Sequence, residues 1–530
     1  MTSALVTPPA AREYRRFSWQ EALMDYLPRH RQTPRARRWV ERIPTIIILL
    51  LTAVLALRLR NSAFIDEALY INAGQDYLNH IFHGSAVPDH GAYFSGVPVV
   101  YPVLAAALDA FGGLYLVRFF SLACVLVTVV IVQDLAQTLF GSRRTGLLAG
   151  AAFAFTGSVI FLGAFATFDA LCVLLLAFGM WLGVKRTGPR SAAGVGLALA
   201  LAVTVKYAGA VFVPVVLGII FVARPHVAKR VAVAIATFLG AIGVVLGLFG
   251  NTLLPGIEFT TSTRAALSPA PQSQLLVYVA LNIGLLMILA LWGAFRAPRG
   301  PRPTALVGLM LVGASLLPIA QLRLGEAVSF DKHTAYASLF LAPLAGVGLA
   351  ALSRGLFKIA PVSLILLVSI IAGISRSSSL YAGWVPLGPV LAEIGRDPEP
   401  GLYISSSTDS LKYYTRKTHP DVRWQTTFSL YSAGENQIRR AVAMDKFQMI
   451  ILRSASTGSA QQDAGQRLLE AAINENPRYR LAREPFPVQQ YSTDRWFVYR
   501  LAKGAPSASY NSDSPRSNPN PTSSSGGLHP

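Results

Sequence analysis

Long apolar segments recur along this chain of 530 residues and constrain its fold more than any other feature. A helix rises about 1.5 Å per residue, so roughly 20 apolar residues cross the hydrocarbon core of a bilayer. Such segments occupy residues 43–59, 114–133, 145–163, 167–184, 189–204, 207–223, 228–249, 274–294, 304–321, 336–352 and 356–375. The pattern predicts an all-α polytopic membrane protein with about eleven transmembrane helices.

Composition narrows the class of protein further. Charged residues make up 14% of the chain, whereas soluble domains carry about 25%. The net charge of +20 comes from a basic arm and from short connections, where basic residues set topology, so no nucleic-acid partner is expected. Cys124 and Cys172 both lie inside apolar segments, which indicates neither a disulfide framework nor a cysteine metal site.

The distribution of basic residues predicts the orientation in the membrane. Residues 1–42 form an arginine-rich arm that we expect to stay in the cytoplasm, and every second connection after it is basic. The first loop, residues 60–113, and the part after residue 376 are then extracytoplasmic. This places a multi-pass protein in the plasma or inner membrane, with its site of chemistry and its C-terminal domain outside.

Three further divisions follow from the sequence. Residues 43–375 form the transmembrane domain, and the stretch 97–112 of its first loop is predicted to be helical and to lie at the membrane interface. Residues 376–502 alternate short strand and helix patterns, which indicates a small α/β domain. Residues 503–530, rich in Ser, Pro, Asn and Gly, are predicted to be a disordered tail.

Two adjacent carboxylates stand just beyond the first apolar segment, in NSAFIDEALYINAGQDYL. A carboxylate near apolar surroundings can be tuned toward general-base chemistry, so Asp66 and Glu67 are candidate catalytic residues, with Asp66 as the base. The alternative is that both cap the helix that follows, because Asp is a favoured N-cap and acidic residues suit a first turn.

This segment resembles the lipid-carrier-dependent glycosyltransferases of the GT-C fold, in the branch of protein O-mannosyltransferases and lipid A aminoarabinose transferase. Members carry an Asp-Glu pair after the first span. Four more stretches resemble that branch in order, namely VPVVYPVLAAAL, RFFSLACVLVTVVIVQDLAQTLFGSRRTGLLAGAAFA, ATFDALCVLLLAFGMWL and LALALAVTVKYAGAVFVPVVL. The resemblance covers residues 40–225 well and the remainder loosely.

The resemblance implies an inverting transfer of a hexose or pentose from a polyprenyl-phosphate donor to a lipid, polysaccharide or protein acceptor. Asp66 would accept the acceptor proton, and the FDA motif places Asp169 beside the site. Lys206, in TVKYAG where the family has a Thr-Lys-Gly-like sequence, would neutralise the departing phosphate. The alternative for Asp169 is that it caps a helix. The alternative for Lys206 is that its side chain reaches toward the membrane interface.

The remaining substrate-binding candidates are charged residues of the later extracytoplasmic loops, Arg264, Arg323, Lys332 and His333. Solvated loop charge is the alternative for each. His333 stands in no metal-ligand spacing, so no cofactor is certain and a divalent metal stays open. The chain shows no internal repeat, which disfavours the main alternative function, a lipid or solute transporter or flippase. A membrane receptor would leave the Asp-Glu segment unexplained.

Overall fold

The computed structural model describes residues 34–224, 226–263, 269–327, 329–353, 359–457, 459–489 and 492–502. The predicted tail, 503–530, and residues 1–33 of the predicted arm lie outside this range. The chain divides into two compact units, Met1–Val385 and Pro386–Pro530. The first unit is helical and the second contains a β-sheet, as the predicted fold class requires.

The first unit consists of helices that follow the apolar segments. They are α1 (Pro34–Ala56), α2 (Ile65–His83), α3 (Tyr101–Phe140), α4 (Arg143–Ala154), α5 (Gly157–Ala164), α6 (Phe168–Lys185), α7 (Pro189–Val205), α8 (Val213–Ala223), α9 (Ala228–Glu258), α10 (Gln272–Arg296), α11 (Pro301–Leu324), α12 (Phe330–Leu352) and α13 (Ile359–Ala382). Short 3₁₀ segments, His90–Ala92 and Tyr207–Phe212, interrupt the connections.

Within the described residues, seven helices are long and apolar enough to cross a membrane, or up to eight if the pair α4 and α5, bent by 67°, counts as one span. The shorter apolar helices at Pro189–Val205 and Tyr207–Ala223 add to these. The protein is therefore a multi-pass membrane protein. The predicted span at 207–223 begins as a 3₁₀ segment, because Pro214 cannot donate to a helical ladder and starts α8 anew.

The predicted interface stretch 97–112 is helical over most of its length and runs directly into the next segment. It forms the first part of α3, which kinks at Gly112 and Gly113. Gly113 has a φ of 64°, a left-handed conformation that favours glycine. The kink lets one element change direction without a loop.

Helix α12 is the most buried of the candidate spans and packs against α10, α4 and α11. Close approach to α10 depends on two glycines. A Cβ on Gly293 would lie 1.8 Å from the carbonyl oxygen of Leu344, and one on Gly348 would lie 2.5 Å from that of Leu289. Small residues at such crossings allow backbones to touch, as is common between membrane helices.

The second unit is a small α/β domain with helices α14 (Gly388–Arg396), α15 (Thr408–Thr415), α16 (Thr427–Ser432), α17 (Glu435–Ala443) and α18 (Ala460–Glu475). Its strands are β1 (Gly401–Ser405), β2 (Val422–Thr426), β3 (Met449–Arg453), β4 (Tyr479–Leu481), β5 (Phe486–Pro487) and β6 (Arg495–Leu501). The sheet order is β2-β1-β3-β6-β4, with β5 also pairing with β6. The first three strands are parallel, and the pairs made by β6 are antiparallel.

Candidate active site

The Asp-Glu pair lies in the first turn of α2, where its two carboxylates face different surroundings. Glu67 is fully buried, and its Oε2 accepts a hydrogen bond from the backbone N–H of Phe64 at 3.0 Å, which caps the helix. The side chain of Asp66 is 29% exposed. The capping role weighed for both residues therefore belongs to Glu67, whereas Asp66 is accessible.

Arg118 of α3 holds Glu67 in a bidentate ion pair. Its Nε donates to Oε1 at 2.9 Å and its Nη2 donates to Oε2 at 2.7 Å. The backbone N–H of Ala166, just before α6, also donates to Oε1 at 2.9 Å. Glu67 thus accepts four hydrogen bonds from three parts of the chain, and paired, hydrogen-bonded charges of this kind are the form in which carboxylates persist in buried sites.

The same arginine fixes the segment that leads into α2. Arg118 Nη1 donates to the carbonyl oxygen of Asn61 at 2.9 Å, and Nη2 donates to that of Ser62 at 3.2 Å. Its guanidinium lies 5.5 Å from the ring centroid of Trp384, within cation–π range. The start of α2 is therefore held on several sides by one side chain.

Asp66 pairs with Lys332 of α12, which is 266 residues away in the sequence. The Lys332 Nζ donates to Asp66 Oδ2 at 2.6 Å, and only 8% of the lysine side chain is exposed. The ammonium also lies 5.5 Å from the ring centroid of Phe165. The pair places one accessible carboxylate and one sheltered cation side by side, an arrangement that can serve both proton transfer and phosphate binding.

Asp169 and Lys206 form a second, deeper pair. The Lys206 ammonium donates to Asp169 Oδ1, and the exposed fractions of the two side chains are 4% and 0%. Tyr336 OH donates to the same oxygen at 3.2 Å, and Thr167 Oγ1 donates to Oδ2 at 3.2 Å. The structure brings these two predicted residues together, and each is the ion-pair partner of the other.

The other predicted binding residues are spread along the later helices. Arg323 is exposed in the last turn of α11, and the ring of His333 lies edge-on to that of Tyr336 with centroids 6.2 Å apart. Arg264 lies outside the described residues. Within the described ranges, no group of three or more His, Cys, Asp or Glu side chains is placed to hold a metal ion.

Two arginines that the sequence reasoning missed help to organise the site. Arg118 lies inside a predicted apolar span, and an ionisable residue at such a depth is a signal of function that could have been used. Arg376 of α13 contacts Asp331 of α12 and donates from Nε to Asn282 Oδ1 at 3.1 Å. This second network joins α10, α12 and α13 beside Lys332.

Comparison with known proteins agrees with this architecture. Residues 45–252, less than half of the chain, match the family described as dolichyl-phosphate-mannose-protein mannosyltransferase. That stretch includes the Asp-Glu pair, Arg118, Asp169 and Lys206. No curated protein matches the chain in sequence.

Solved structures resemble the chain over most of its length. ArnT from Cupriavidus metallidurans bound to undecaprenyl phosphate is 14% identical, with a TM-score of 0.57, covering 88% of this chain and 99% of that one. The apo state of ArnT has the same TM-score at 13% identity and covers 88% of this chain and 98% of that one. The arabinofuranosyltransferase AftD from Mycobacteria is 15% identical, with a TM-score of 0.53, covering 88% of this chain and 40% of that one.

These similarities establish the GT-C fold, as the resemblance of the sequence predicted. Together with the family match they support a membrane glycosyltransferase that uses a lipid-linked sugar donor.

Proposed function

We propose that this protein transfers a sugar from a polyprenyl-phosphate carrier to an acceptor hydroxyl on the extracytoplasmic face, with inversion at the anomeric carbon. One observation carries the proposal. The accessible carboxylate of Asp66 and the sheltered ammonium of Lys332 meet at 2.6 Å, at the start of a helix whose rotation is fixed by the buried Glu67.

In the proposed reaction, Asp66 takes the proton of the acceptor hydroxyl as the acceptor oxygen forms its bond to the anomeric carbon. The bond between that carbon and the phosphate oxygen breaks, and its electron pair leaves with the lipid phosphate. A positioned carboxylate base contributes about 10²- to 10⁴-fold to such a step. The cation beside it stabilises the negative charge that develops on the leaving group.

Lys332 is the better candidate for this cation than Lys206. Removing the Lys206 ammonium from Asp169 would leave a fully buried carboxylate unpaired, and breaking a buried ion pair costs about 3–5 kcal/mol. The carboxylate of Asp66 is 29% exposed, so water or the acceptor can solvate it when Lys332 turns toward phosphate. We therefore assign phosphate binding to Lys332 and a supporting role to the Asp169–Lys206 pair.

The nature of the lipid carrier is supported from two directions. The description of the matched family names dolichyl-phosphate mannose, and the ArnT structure contains bound undecaprenyl phosphate. Both carriers are long isoprenoid chains ending in one phosphate, and such a chain suits a protein whose helices are bounded by lipid. We propose the same chemistry for the donor here, with a hexose or a pentose as the sugar.

Replacing Asp66 by Asn tests the proposal, because the amide keeps the side-chain volume and removes the base. Purified protein in liposomes is given polyprenyl-phosphate mannose or polyprenyl-phosphate arabinose, with added membrane glycans as acceptors. The labelled sugar that is transferred to these glycans or to water is then counted. We expect Asp66→Asn to lower the rate by about 10²- to 10⁴-fold at a normal protein level.

The matched control is Asp134→Asn. Asp134 pairs with Lys185 at 3.0 Å, and both side chains are 34% exposed, so this variant removes a comparable Asp–Lys pair from another part of the bundle. We expect it to transfer sugar at the wild-type rate. Full activity of Asp66→Asn would refute the catalytic centre, and wild-type activity with nucleotide sugars alone would refute the donor.

A further inference from the structure

The loop between α2 and α3 is folded around a buried histidine. His90 is 5% exposed; its Nε2 lies 3.1 Å from Asp76 Oδ2 and its Nδ1 lies 2.7 Å from the hydroxyl of Tyr93. Because the carboxylate accepts, Nε2 carries the proton, and in the neutral ring Nδ1 accepts from Tyr93. This chain of hydrogen bonds fixes the ring of Tyr93, which is 38% exposed.

The loop is held tightly by its neighbours. A Cβ on Gly91 would lie 1.9 Å from Thr252 Cγ2 of α9, and one on Gly96 would lie 2.1 Å from the carbonyl oxygen of Val205. Two backbone hydrogen bonds, Val97 N–H to Thr204 at 2.9 Å and Tyr207 N–H to Ser95 at 2.8 Å, join it to the end of α7 and the segment that follows. A loop held in one conformation in this way is better suited to bind a ligand than a mobile loop, because its side chains are already in position.

A layer of aromatic rings connects the loop to the candidate active site. Tyr93 contacts Phe94 with centroids 5.1 Å apart, Phe94 contacts Tyr70 at 5.4 Å, and Tyr70 contacts Phe168 at 4.6 Å. Tyr70 stands four residues after Asp66 and therefore on the same face of α2. A continuous row of ring contacts therefore links Tyr93 to the face of α2 that carries Asp66.

The charge of the loop disfavours an anionic acceptor. Residues 61–117 contain no Lys or Arg but five acidic residues, of which Asp66 and Glu67 pair with Lys332 and Arg118, so that Asp76, Asp89 and Asp109 set the charge of the loop. Burial and the neighbouring Asp89 and Asp76 raise the pKa of Tyr77, so this phenol stays a neutral hydrogen-bond donor. In helix α9, which packs on the loop, the single ionisable residue after Arg230 is Glu258. An anionic acceptor would meet repulsion, since like charges brought together cost several kcal/mol.

We propose that Asp76, Tyr77, Asp89 and Tyr93, held in place by the buried His90 and here called the Tyr93 platform, bind the acceptor, and that this acceptor is a neutral glycan without a phosphate or carboxylate at the reacting end. The exposed ring offers a flat apolar face to a sugar, and the carboxylates and phenol offer hydrogen-bonding partners for its hydroxyls. That the bound glycan is the acceptor rests on the proposed function. The binding itself can be measured without any sugar transfer.

Binding is measured on the full chain in nanodiscs by saturation-transfer NMR. The probes are neutral oligosaccharides of mannose, arabinose or glucose, and a glucosamine disaccharide bearing two phosphates. We expect a neutral oligosaccharide to bind and the bisphosphate to bind more weakly. Tyr93→Ala should weaken binding about tenfold, as truncation of a central tyrosine does, whereas Tyr93→Phe, which keeps the ring, should stay within about threefold.

Two controls separate this inference from the proposed function. Tyr115→Ala removes a tyrosine of α3 that is 69% exposed, and it should bind like wild type. Asp66→Asn keeps a hydrogen-bonding side chain for the acceptor hydroxyl, so it should bind the oligosaccharide within about threefold of wild type while failing to transfer sugar. An active Asp66→Asn variant refutes the catalytic centre and leaves the platform standing. The platform is overturned if the bisphosphate binds more tightly, if Tyr93→Ala binds like wild type, or if no neutral oligosaccharide binds at about 10 mM.

Discussion

Replacement of Glu67 by Gln separates a positioning role from a catalytic one. Each oxygen of Glu67 accepts two hydrogen bonds, Oε1 from Arg118 Nε and Ala166 N–H, and Oε2 from Arg118 Nη2 and Phe64 N–H. Glutamine keeps one oxygen, so two of the four donors lose their acceptor whichever way the amide turns. At about 1–3 kcal/mol for each unsatisfied buried donor, the loss is about 2–6 kcal/mol.

An independent route gives a similar figure. Breaking a buried ion pair by neutralising one partner costs about 3–5 kcal/mol, and Glu67 and Arg118 have side chains 0% and 7% exposed. Asp66 is partly exposed and asparagine keeps an oxygen that can accept from the Lys332 ammonium, so Asp66→Asn should cost only about 1 kcal/mol although that lysine is buried. The two adjacent substitutions are therefore expected to differ in stability by several kcal/mol.

The assay is the apparent Tm of detergent-purified protein, read alongside the transfer rate. We expect Glu67→Gln to melt about 5 °C or more below wild type, and Asp66→Asn to melt within about 2 °C of it. Arg118→Gln should resemble Glu67→Gln. In the double variant the two losses should fail to add by about 1–3 kcal/mol, because both changes break the same interaction.

A different outcome would refute the reasoning. If Glu67→Gln melted like wild type and still lost transfer as completely as Asp66→Asn, Glu67 would act in the chemistry and its buried hydrogen bonds would not define its role. Additive losses in the double variant would show that the ion pair does not couple the two side chains.

Three further predictions concern the surrounding cations and the topology. Lys332→Ala should lower kcat/KM for the lipid-phosphate donor by about 10²- to 10³-fold in the transfer assay, whereas Lys185→Ala should leave it unchanged, and equal effects would remove Lys332 from the site. Lys206→Ala should lower the apparent Tm because it strands the buried Asp169, and an unchanged Tm with weaker donor use would return phosphate binding to Lys206. Cysteine-accessibility reporters should be cytoplasmic at about residue 300 and extracytoplasmic at about residues 260 and 420, and a cytoplasmic reporter at 420 would contradict the proposed orientation.

Much of the fold was predictable because membrane residence imposes a length and a composition on each helix. The apolar segments correspond to helices, and the change of character near residue 376 precedes the second unit, which starts at Pro386. Backbone breaks inside apolar segments were not predictable in the same way. The predicted span 145–163 is two helices bent by 67°, and hydropathy contains no term for such a bend.

Which charged residues pair with each other could not be predicted from the sequence, for a different reason. Asp66 and Lys332 are 266 residues apart, and Asp169 and Lys206 are 37 apart, so each pair depends on how helices pack. Sequence reasoning identified Asp66, Asp169 and Lys206 as ionisable groups beside or within apolar segments, and Lys332 only as a charged residue of a later extracytoplasmic loop. It predicted Lys206 as the phosphate-binding cation, and the ion pair that this ammonium makes with Asp169 became visible only in the structure.

The difference between Asp66 and Glu67 follows from helix geometry together with one arginine. Successive residues of an α-helix point about 100° apart, so two adjacent carboxylates cannot share one environment. Once Arg118 and the backbone of Ala166 hold Glu67 in the protein interior, the rotation of α2 is fixed and Asp66 must face the side where Lys332 lies. The buried glutamate thereby sets the direction of the aspartate, so the Asp-Glu pair acts as a unit in which the second residue positions the first.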